Sequence, residues 1–219
     1  MQIFNLVTGP ISTNTWLLPL PGDCIAVIDP GGNPEKIIAQ ISLLGRKPYA
    51  VLLTHGHFDH LAALPALCET YPGLKTGISR ADAVYLGKQA AEEHLRILGD
   101  EADFLYPNDP QWMLRLPEPD FFLDEGPMPA IPGEEGYWEG WEVLATPGHT
   151  PGSVCLYHPQ EKLLFAGDTL FFQGCGRTDL PGGNPADMEA SLHKLSALPR
   201  ETQVMPGHGR KTRIGAEFP

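Results

Sequence analysis

The residues best suited to bind metals or take part in catalysis lie in one short segment, Thr54-His55-Gly56-His57-Phe58-Asp59-His60, directly after an apolar run that ends at Leu53. Chance would produce the pattern H-x-H-x-D-H roughly once in ten thousand chains of this size, so the signal is specific. Imidazoles and carboxylates are the ligands that zinc and other first-row metals prefer in proteins. One ion does not need this many donors from one loop. The segment therefore predicts a metal site in which side chains of one turn reach in two directions.

Three further residues of the same chemical type each follow an apolar run and lie beside a glycine: His149, Asp168 and His208. Sites in α/β proteins gather at the carboxyl ends of strands, so we expect all these donors at one sheet edge. The predicted metal ligands are His55, His57, Asp59, His60, His149, Asp168 and His208. Seven ligands suit two ions better than one, with a shared hydroxide as nucleophile, which indicates hydrolysis of a carbonyl or phosphoryl centre.

Asp29 ends another apolar run and precedes Pro30-Gly-Gly. Its carboxylate either accepts the second N–H of a liganding imidazole or caps the turn, and the sequence leaves both roles open.

The elements that must position these residues are short strands that alternate with helices, which indicates the α/β class. Helices are predicted from Asn33-Pro34, over 61–71, from Ser79-x-x-Asp82 to Leu98, and from Asn184-Pro185. In the third helix the Ser-x-x-Asp pattern resembles a capping box, and an inward stripe includes Val84 and Leu95. Strands are predicted at 2–7, 14–20, 24–28, 49–53, 74–78, 141–145, 153–157, 162–166 and 202–205.

Length and composition exclude several classes of protein. The 219 residues fit one domain, 1–219, and the net charge of −12 argues against a nucleic-acid partner. No apolar run is long enough for a membrane span or a secretory leader. The four cysteines lack C-x-x-C spacing, so a protein of the cytoplasm with reduced thiols is expected. Neither a membrane nor a nucleic acid is expected as a partner.

The negative charge is concentrated in one segment, since residues 82–142 hold 15 acidic and 3 basic side chains and the rest of the chain is neutral. Within it, residues 99–140 are rich in proline and have no sustained periodicity, so we predict an insertion that forms a lid over the site entrance. Neutralising Glu134, Glu135 and Glu139 should then change KM for anionic substrates.

Taken together, the motifs resemble the metallo-β-lactamase superfamily, and within it the small glyoxalase II-like (hydroxyacylglutathione hydrolase-like) hydrolases. The resemblance runs along most of the chain and implies an αββα sandwich, in which two mixed β-sheets are flanked by helices and hold the metals at one edge. The matching segments are Asp29-Pro-Gly-Gly, Thr54-His-Gly-His-Phe-Asp-His60, Thr146-Pro-Gly-His-Thr-Pro-Gly-Ser153, Phe165-Ala-Gly-Asp-Thr169, Gly176-Arg-Thr-Asp179 and Pro206-Gly-His-Gly209.

The resemblance also assigns ligands to two divalent ions, with zinc as first choice and iron or manganese as alternatives. It implies that the first metal is held by His55, His57 and His149. It implies that the second is held by Asp59, His60 and His208, with Asp168 as the bridge. The bridging carboxylate argues against the true β-lactamases of the superfamily, and His57 argues against its flavodiiron branch, which carries a glutamate there.

The activity implied is hydrolysis of a small-molecule thioester such as S-lactoylglutathione by a metal-bridging hydroxide, with Asp59 and Asp168 as the catalytic carboxylates. Glyoxalase II proper adds a C-terminal helical domain that binds glutathione, and this chain ends 11 residues after His208, so a glutathione-linked substrate lacks matched residues. Either a monomer or a homodimer is compatible with the sequence. Residues expected around the metals or the substrate are Asp29, Thr54, Arg177, Asp179, Arg210 and Lys211.

Three alternatives stay open. Gly174-Cys-Gly-Arg-Thr-Asp179 resembles the persulfide dioxygenases, iron oxidoreductases of the same fold, whose single ion would use His55, His149 and Asp168. The metal site also suits a lactonase or another ester hydrolase. A binding protein with a retained metal site is the third.

Overall fold

The computed structural model describes residues 2–99, 105, 109, 111–131 and 136–219, so Glu134 and Glu135 lie outside the described residues. Two six-stranded sheets and five α-helices make up the described part. The first sheet contains β1 Phe4–Thr8, β2 Thr13–Pro19, β3 Cys24–Ile28, β4 Lys47–Leu52, β5 Lys75–Ile78 and β6 Phe121–Phe122. The second contains β7 Gly126–Pro127, β8 Glu142–Ala145, β9 Val154–His158, β10 Leu163–Gly167, β11 Gln203–Pro206 and β12 Thr212–Arg213. The helices are α1 Pro34–Leu43, α2 Leu64–Thr70, α3 Ala90–Leu98, α4 Pro185–Ser196 and α5 Ile214–Glu217.

Each sheet follows chain order and mixes parallel and antiparallel pairs. In the first sheet β1, β2 and β3 are antiparallel, and β3 to β6 are parallel. In the second sheet β10 and β11 are parallel, and the other pairs are antiparallel. The parallel pairs place the carboxyl ends of β3, β4 and β5 side by side, and likewise those of β10 and β11. Six of the predicted donors follow the ends of β4, β10 and β11, and His149 follows β8.

Side chains alternate between two faces along each strand, and this produces three apolar layers. Ile28 and Phe165 point into the core between the sheets, while Val27 packs under α1, α2 and α3. Leu164 packs on the other side, under α4 and α5. The order of layers is therefore helix, sheet, sheet, helix, which confirms the predicted αββα sandwich. No helix in the described ranges is both long and apolar enough to cross a membrane.

The two sheets are joined at the metal edge by the start of β2. The side-chain amide of Asn14 donates to the carbonyl oxygens of Pro206 (3.0 Å) and Gly209 (2.9 Å). The backbone N–H of Asn14 donates to the carbonyl of Gly207 at 2.7 Å. These bonds fix the loop that carries His208 against the first sheet.

Two of the predicted helix starts behave differently. Asn184 caps α4, because its Oδ1 accepts from the backbone N–H of Ala186 at 2.9 Å. Asn33 precedes α1, but its side chain does not cap the helix, although an asparagine before proline is a common helix start. Its backbone is left-handed (φ 48°), and its Oδ1 accepts instead from the N–H of Gly9 at 3.0 Å.

Of the capping box predicted at Ser79 and Asp82, one half is present, because the Ser79 hydroxyl accepts from the Asp82 N–H at 3.3 Å, but no α-helix begins there. α3 begins only at Ala90, after two short 3₁₀ turns. The carboxylate of Asp82 accepts hydrogen bonds from distant loops and is unavailable to a helix start. Because the helix starts late, its buried face is Ala90, His94 and Leu98, whereas Val84 (40%) and Leu95 (48%) are exposed.

The predicted insertion 99–140 contributes the edge strands β6 and β7, one to each sheet, which the sequence pattern did not reveal. Tyr137 contacts Cys24 at the start of β3. Glu139 lines a surface cleft with Leu20. Since Asp29 follows the opposite end of β3, Glu139 lies away from the metal donors and not at the site entrance, where the sequence had predicted it.

Candidate metal centre

The seven predicted ligands meet at one edge of the two sheets, in the loops after β4, β8, β10 and β11. Six are buried, and the side chain of His208 is 25% exposed. Among the described residues, three overlapping groups of donors have ligand atoms that all lie within 4.8 Å of one another. These groups are His55, His57 and His149; His55, His60 and Asp168; and Asp59, His60 and His208.

Backbone and hydroxyl partners orient the imidazoles of the first group. Thr54 Oγ1 lies 3.1 Å from His55 Nδ1 and itself donates to Asp29, so it accepts from the histidine. The carbonyl oxygen of Arg177 accepts from His149 Nδ1 at 2.7 Å. Both rings therefore present the Nε2 lone pair, and His55 Nε2 has no hydrogen-bond partner among the described residues.

His57, the third histidine of this group, faces His149. Its Nδ1 lies 2.8 Å from His149 Nε2, which carries a lone pair because the proton of that ring is on Nδ1. Two lone pairs at this distance repel unless a proton or a cation lies between them. His57 and His149 therefore share either a proton or a cation at this contact.

The second group centres on His60. Its Nε2 lies 3.3 Å from His208 Nε2 and 3.2 Å from Asp59 Oδ2. The Asp59 oxygen also lies 3.1 Å from His208 Nε2 and accepts from Thr13 Oγ1 at 3.0 Å. The Thr13 bond holds the carboxylate against the two rings.

Asp168 lies between the groups. Its Oδ1 is 3.4 Å from His60 Nε2, and its Oδ2 is 3.6 Å from His149 Nε2 and 3.5 Å from His208 Nε2. The approach is so close at Gly207 that a Cβ there would overlap Asp168 Oδ1. This carboxylate has the position a bridging ligand requires.

Asp29 takes the first of the two roles that the sequence had left open, and its carboxylate also binds the loop of Thr54. Its Oδ2 accepts from His60 Nδ1 at 3.0 Å and from the Thr54 hydroxyl at 2.7 Å. Its Oδ1 accepts from the Thr54 backbone N–H at 2.8 Å. One carboxylate thus fixes the tautomer of His60 and secures the turn in which the donor loop begins.

Burial and mutual charge move the pKa values of the donors in opposite directions. Burial, reinforced by neighbouring histidines, lowers the pKa of His57 to about 3 and that of His55 well below its usual value. Burial alone would lower the pKa of His60, but Asp59, Asp168 and Asp29 raise it well above the ordinary value. Without an ion the network keeps a proton on His60, and binding of a cation there releases it.

Asp82 is a part of the site that sequence reasoning missed. It is fully buried, and its Oδ2 accepts from the N–H of Gly56 at 2.8 Å and from the hydroxyl of Thr150 at 2.7 Å. Its Oδ1 accepts from the N–H of Gly152 at 2.8 Å. Asp82 therefore ties the loop of His55 and His57 to the loop of His149. The available signal was an aspartate in the loop after a strand, four residues past the end of β5.

A pocket of about 490 Å³ opens onto the donors His57, Asp59, His149, Asp168 and His208. Arg177 lines it, and its guanidinium binds both oxygens of Asp179 at 2.6 and 2.7 Å in an exposed ion pair.

Arg210 and Lys211, predicted as substrate residues, are not among the residues that line this pocket. The guanidinium of Arg210 lies 3.4 Å from the ring centroid of Phe172, and Lys211 Nζ lies 5.1 Å from that of Trp16. Both are exposed, as a solvated basic tail would be.

The donor set fits two divalent cations. Buried acceptor atoms that face one another across 2.8 to 3.6 Å are unfavourable without a proton or a cation between them, and divalent cations would satisfy all of them together. Neutral imidazoles with carboxylates are typical of zinc, iron and manganese sites. One cation would be held by the first group and one by the second, with Asp168 in reach of both.

Comparison with known proteins agrees with this geometry. The family model of the metallo-beta-lactamase superfamily matches residues 8–208. The chain is 36% identical to the probable metallo-hydrolase YqgX of Bacillus subtilis, over 99% of this chain and 94% of that protein. It is 33% identical to the hydroxyacylglutathione hydrolase GloC of Haemophilus influenzae, over 88% and 83% of the two chains.

Solved structures show the same fold. The BLEG-1 B3 metallo-beta-lactamase superposes with a TM-score of 0.81 at 32% identity, over 99% of this chain and 96% of that one. TTHA1623 in a di-iron-bound form superposes with a TM-score of 0.71 at 36% identity, over 98% of this chain and 96% of that one. ETHE1 from Myxococcus xanthus superposes with a TM-score of 0.68 at 26% identity, over 99% of this chain and 81% of that one.

Proposed function

Because this chain belongs to the metallo-β-lactamase superfamily, we propose that it is a dinuclear metal-dependent hydrolase that cleaves a thioester, with S-lactoylglutathione as the reference substrate. One observation carries the proposal. Asp168 lies within 3.6 Å of donors from both groups, so the chain offers two adjacent cation sites that share a carboxylate. Its similarity to GloC, whose name states a thioester substrate, favours the thioester over other carbonyl compounds.

When bound, the two ions would acidify a water molecule and polarise the carbonyl of the substrate. The chain's own task is to hold the donors in place. Asp29 and the Arg177 carbonyl keep His60 and His149 in the tautomers that present Nε2. Rigid, preoriented donors need no rearrangement as charge develops on the carbonyl oxygen, and this is the main source of rate acceleration in such sites.

We assign proton transfer to Asp59. It lines the pocket, so its carboxylate can reach both a water and a leaving thiolate there. The bond from Thr13 Oγ1 to Oδ2 fixes the orientation of the carboxyl group. Its neighbours His60 and His208 hold its pKa well below the usual range although burial alone would raise it, so the carboxyl group is ionised before the reaction begins.

The test is hydrolysis of S-lactoylglutathione by protein reconstituted separately with zinc, iron(II) and manganese(II), together with a count of metal atoms per chain. We expect two ions per chain and turnover that His57→Ala reduces to background. His193→Ala, which removes an exposed histidine from α4, is the matched control and should leave turnover unchanged. Turnover unaffected by His57→Ala would contradict the proposal.

A persulfide dioxygenase is the second candidate, favoured by the segment from Gly174 to Asp179 and by the similarity to ETHE1. Oxygen uptake with glutathione persulfide and one iron per chain would replace the hydrolase proposal by this one. A β-lactam belongs in the same assay panel because of the similarity to BLEG-1. Cleavage of the β-lactam alone would refute the thioester proposal.

A further inference from the structure

We propose that the substrate carries an apolar hydrocarbon group next to the scissile thioester bond, and that this group, not an anionic glutathione moiety, occupies the pocket over the metal donors. The inference rests on the proposed function and narrows its substrate class.

The first observation is the character of the pocket wall. Above the polar floor of metal donors, the lining side chains are almost all hydrocarbon, from four separate parts of the chain. They include Ile11, Phe58, Ile97, Leu105, Phe171 and Leu180. Ile11 is 46% exposed, so it keeps apolar surface in water that a ligand could cover. A wall of this kind gains free energy from burying an alkyl group and gains nothing from a carboxylate.

The second observation is the charge of the pocket. Arg177 is the one cationic side chain among the described residues that line it. Its guanidinium already makes two bonds to Asp179, and its pKa is raised by that partner. The sequence contains no lysine or arginine between Arg96 and Arg115, the stretch that supplies Ile97 and Leu105 to the wall.

A glutathione conjugate brings two carboxylates, and each needs a cationic or multiply donating partner once it leaves water. The basic residues past His208 do not supply one within the pocket, because Arg210 stacks on Phe172 and Lys211 lies over Trp16. An alkyl chain makes no such demand. The pocket volume of about 490 Å³ lies within the range of small-molecule sites, with room for a chain of several carbons.

The hydrocarbon can belong to the acyl side or to the thiol side of the thioester, and two substrate series distinguish these sources. The first series couples acetyl, butanoyl, hexanoyl and octanoyl groups to N-acetylcysteamine, a small uncharged thiol. The second keeps the acetyl group and lengthens an alkyl thiol. In one series kcat/KM should rise about fourfold per methylene until the pocket is filled. The best member should exceed S-lactoylglutathione by at least tenfold.

Ile97→Asn tests the wall, because Ile97 lies on α3 and lines the pocket. Leu95→Asn is the matched control, since Leu95 lies on the same helix, is exposed and is not among the lining residues. We expect Ile97→Asn to reduce the increase of kcat/KM to twofold per methylene or less, and Leu95→Asn to leave that increase unchanged. Leu180→Asn repeats the test on another loop if Ile97→Asn does not fold.

Binding supplies a readout that does not depend on turnover. Thioether analogues of the same chain lengths, in which CH₂ replaces the carbonyl, cannot be hydrolysed. Their affinity by calorimetry should rise with chain length for the metal-free and metal-loaded protein alike, and Ile97→Asn should weaken it.

The outcomes separate the two proposals. If no thioester of either series, nor S-lactoylglutathione, is hydrolysed by metal-loaded protein, the proposed function fails. If thioesters are hydrolysed but neither series rises with chain length, or S-lactoylglutathione remains the best substrate, the proposed function stands and this inference is overturned. Equal effects of Ile97→Asn and Leu95→Asn would likewise overturn it.

Discussion

Replacement of Asp82 by asparagine should loosen the first metal site without touching a ligand. The Asp82 carboxylate accepts from Gly56, Thr150 and Gly152. Asparagine is almost the same size but offers one acceptor oxygen, and its other terminal atom becomes an NH₂ donor. In either orientation of the amide, at least one N–H or O–H donor then faces another donor in a fully buried position.

The size of the effect follows from the bonds lost. A hydrogen bond to a charged group contributes about 1.5 to 3 kcal/mol to stability. With one bond lost, the melting temperature of a protein of this size should fall by roughly 3 to 12 °C. Gly56 lies between His55 and His57, and Thr150 follows His149, so the loops of the first donor group lose their common anchor. Loss of such outer contacts typically weakens metal binding about 10- to 100-fold.

Three measurements would check this: metal atoms per chain, zinc affinity by competition with a chelator, and the melting temperature of metal-free protein by circular dichroism. Asp124→Asn is the control, because Asp124 forms an exposed pair with Arg80 whose two side chains are 57% and 65% exposed. A surface change of this kind alters stability by no more than about 0.5 kcal/mol. Zinc affinity of Asp82→Asn within twofold of wild type, or equal damage by Asp124→Asn, would refute the reasoning.

Three further predictions concern the scaffold of the site. A Cβ on Gly56 would overlap the buried ring of Tyr85, so Gly56→Ala should displace the donor loop and reduce bound metal, measured as metal atoms per chain. Asn184→Ala removes the cap of α4 and should lower the melting temperature by about 2 to 4 °C with unchanged metal content. Burial lowers the pKa of His94 to about 4. Between about pH 6.5 and pH 4 this histidine therefore binds a proton in the unfolded chain but not in the folded protein, and the free energy of unfolding falls as the pH drops. Between pH 7 and pH 5, the free energy of unfolding of His94→Gln, measured with urea, should therefore fall by about 2 kcal/mol less than that of wild type. Equal falls in the two proteins would show that His94 does not cause the pH dependence.

Local chemistry made much of the site predictable from sequence. The donors are adjacent in the H-x-H-x-D-H loop or follow strands, so their types and places in the chain were sufficient to predict that they meet. Arg177 shows where this reasoning ends. Its identity suggested a side-chain role, but the atom that orients His149 is its backbone carbonyl, which any residue would supply.

The same limit explains the errors in the fold. Ser79 and Asp82 match a capping box in sequence. The Asp82 carboxylate instead accepts hydrogen bonds from three donors in loops 26 or more residues away, so it does not cap a helix. The side chain of Asn33 does not cap α1, and its Oδ1 accepts from Gly9 instead. The two-residue strands β6 and β7 are too short to show any periodicity. In each case the deciding partner is distant in the chain.

The attachment of Asn14 to the loop of His208 has a consequence for how the protein is made. His60 is synthesised first, and His208 follows 148 residues later. The second donor group therefore assembles only after both segments have been synthesised, and closing a loop of that length costs about 4 kcal/mol of chain entropy. Until that closure, the imidazoles of the H-x-H-x-D-H loop lack their partner His208. The hydrogen bonds of Asn14 to the loop of His208 hold the closed arrangement, so the second donor group depends on them.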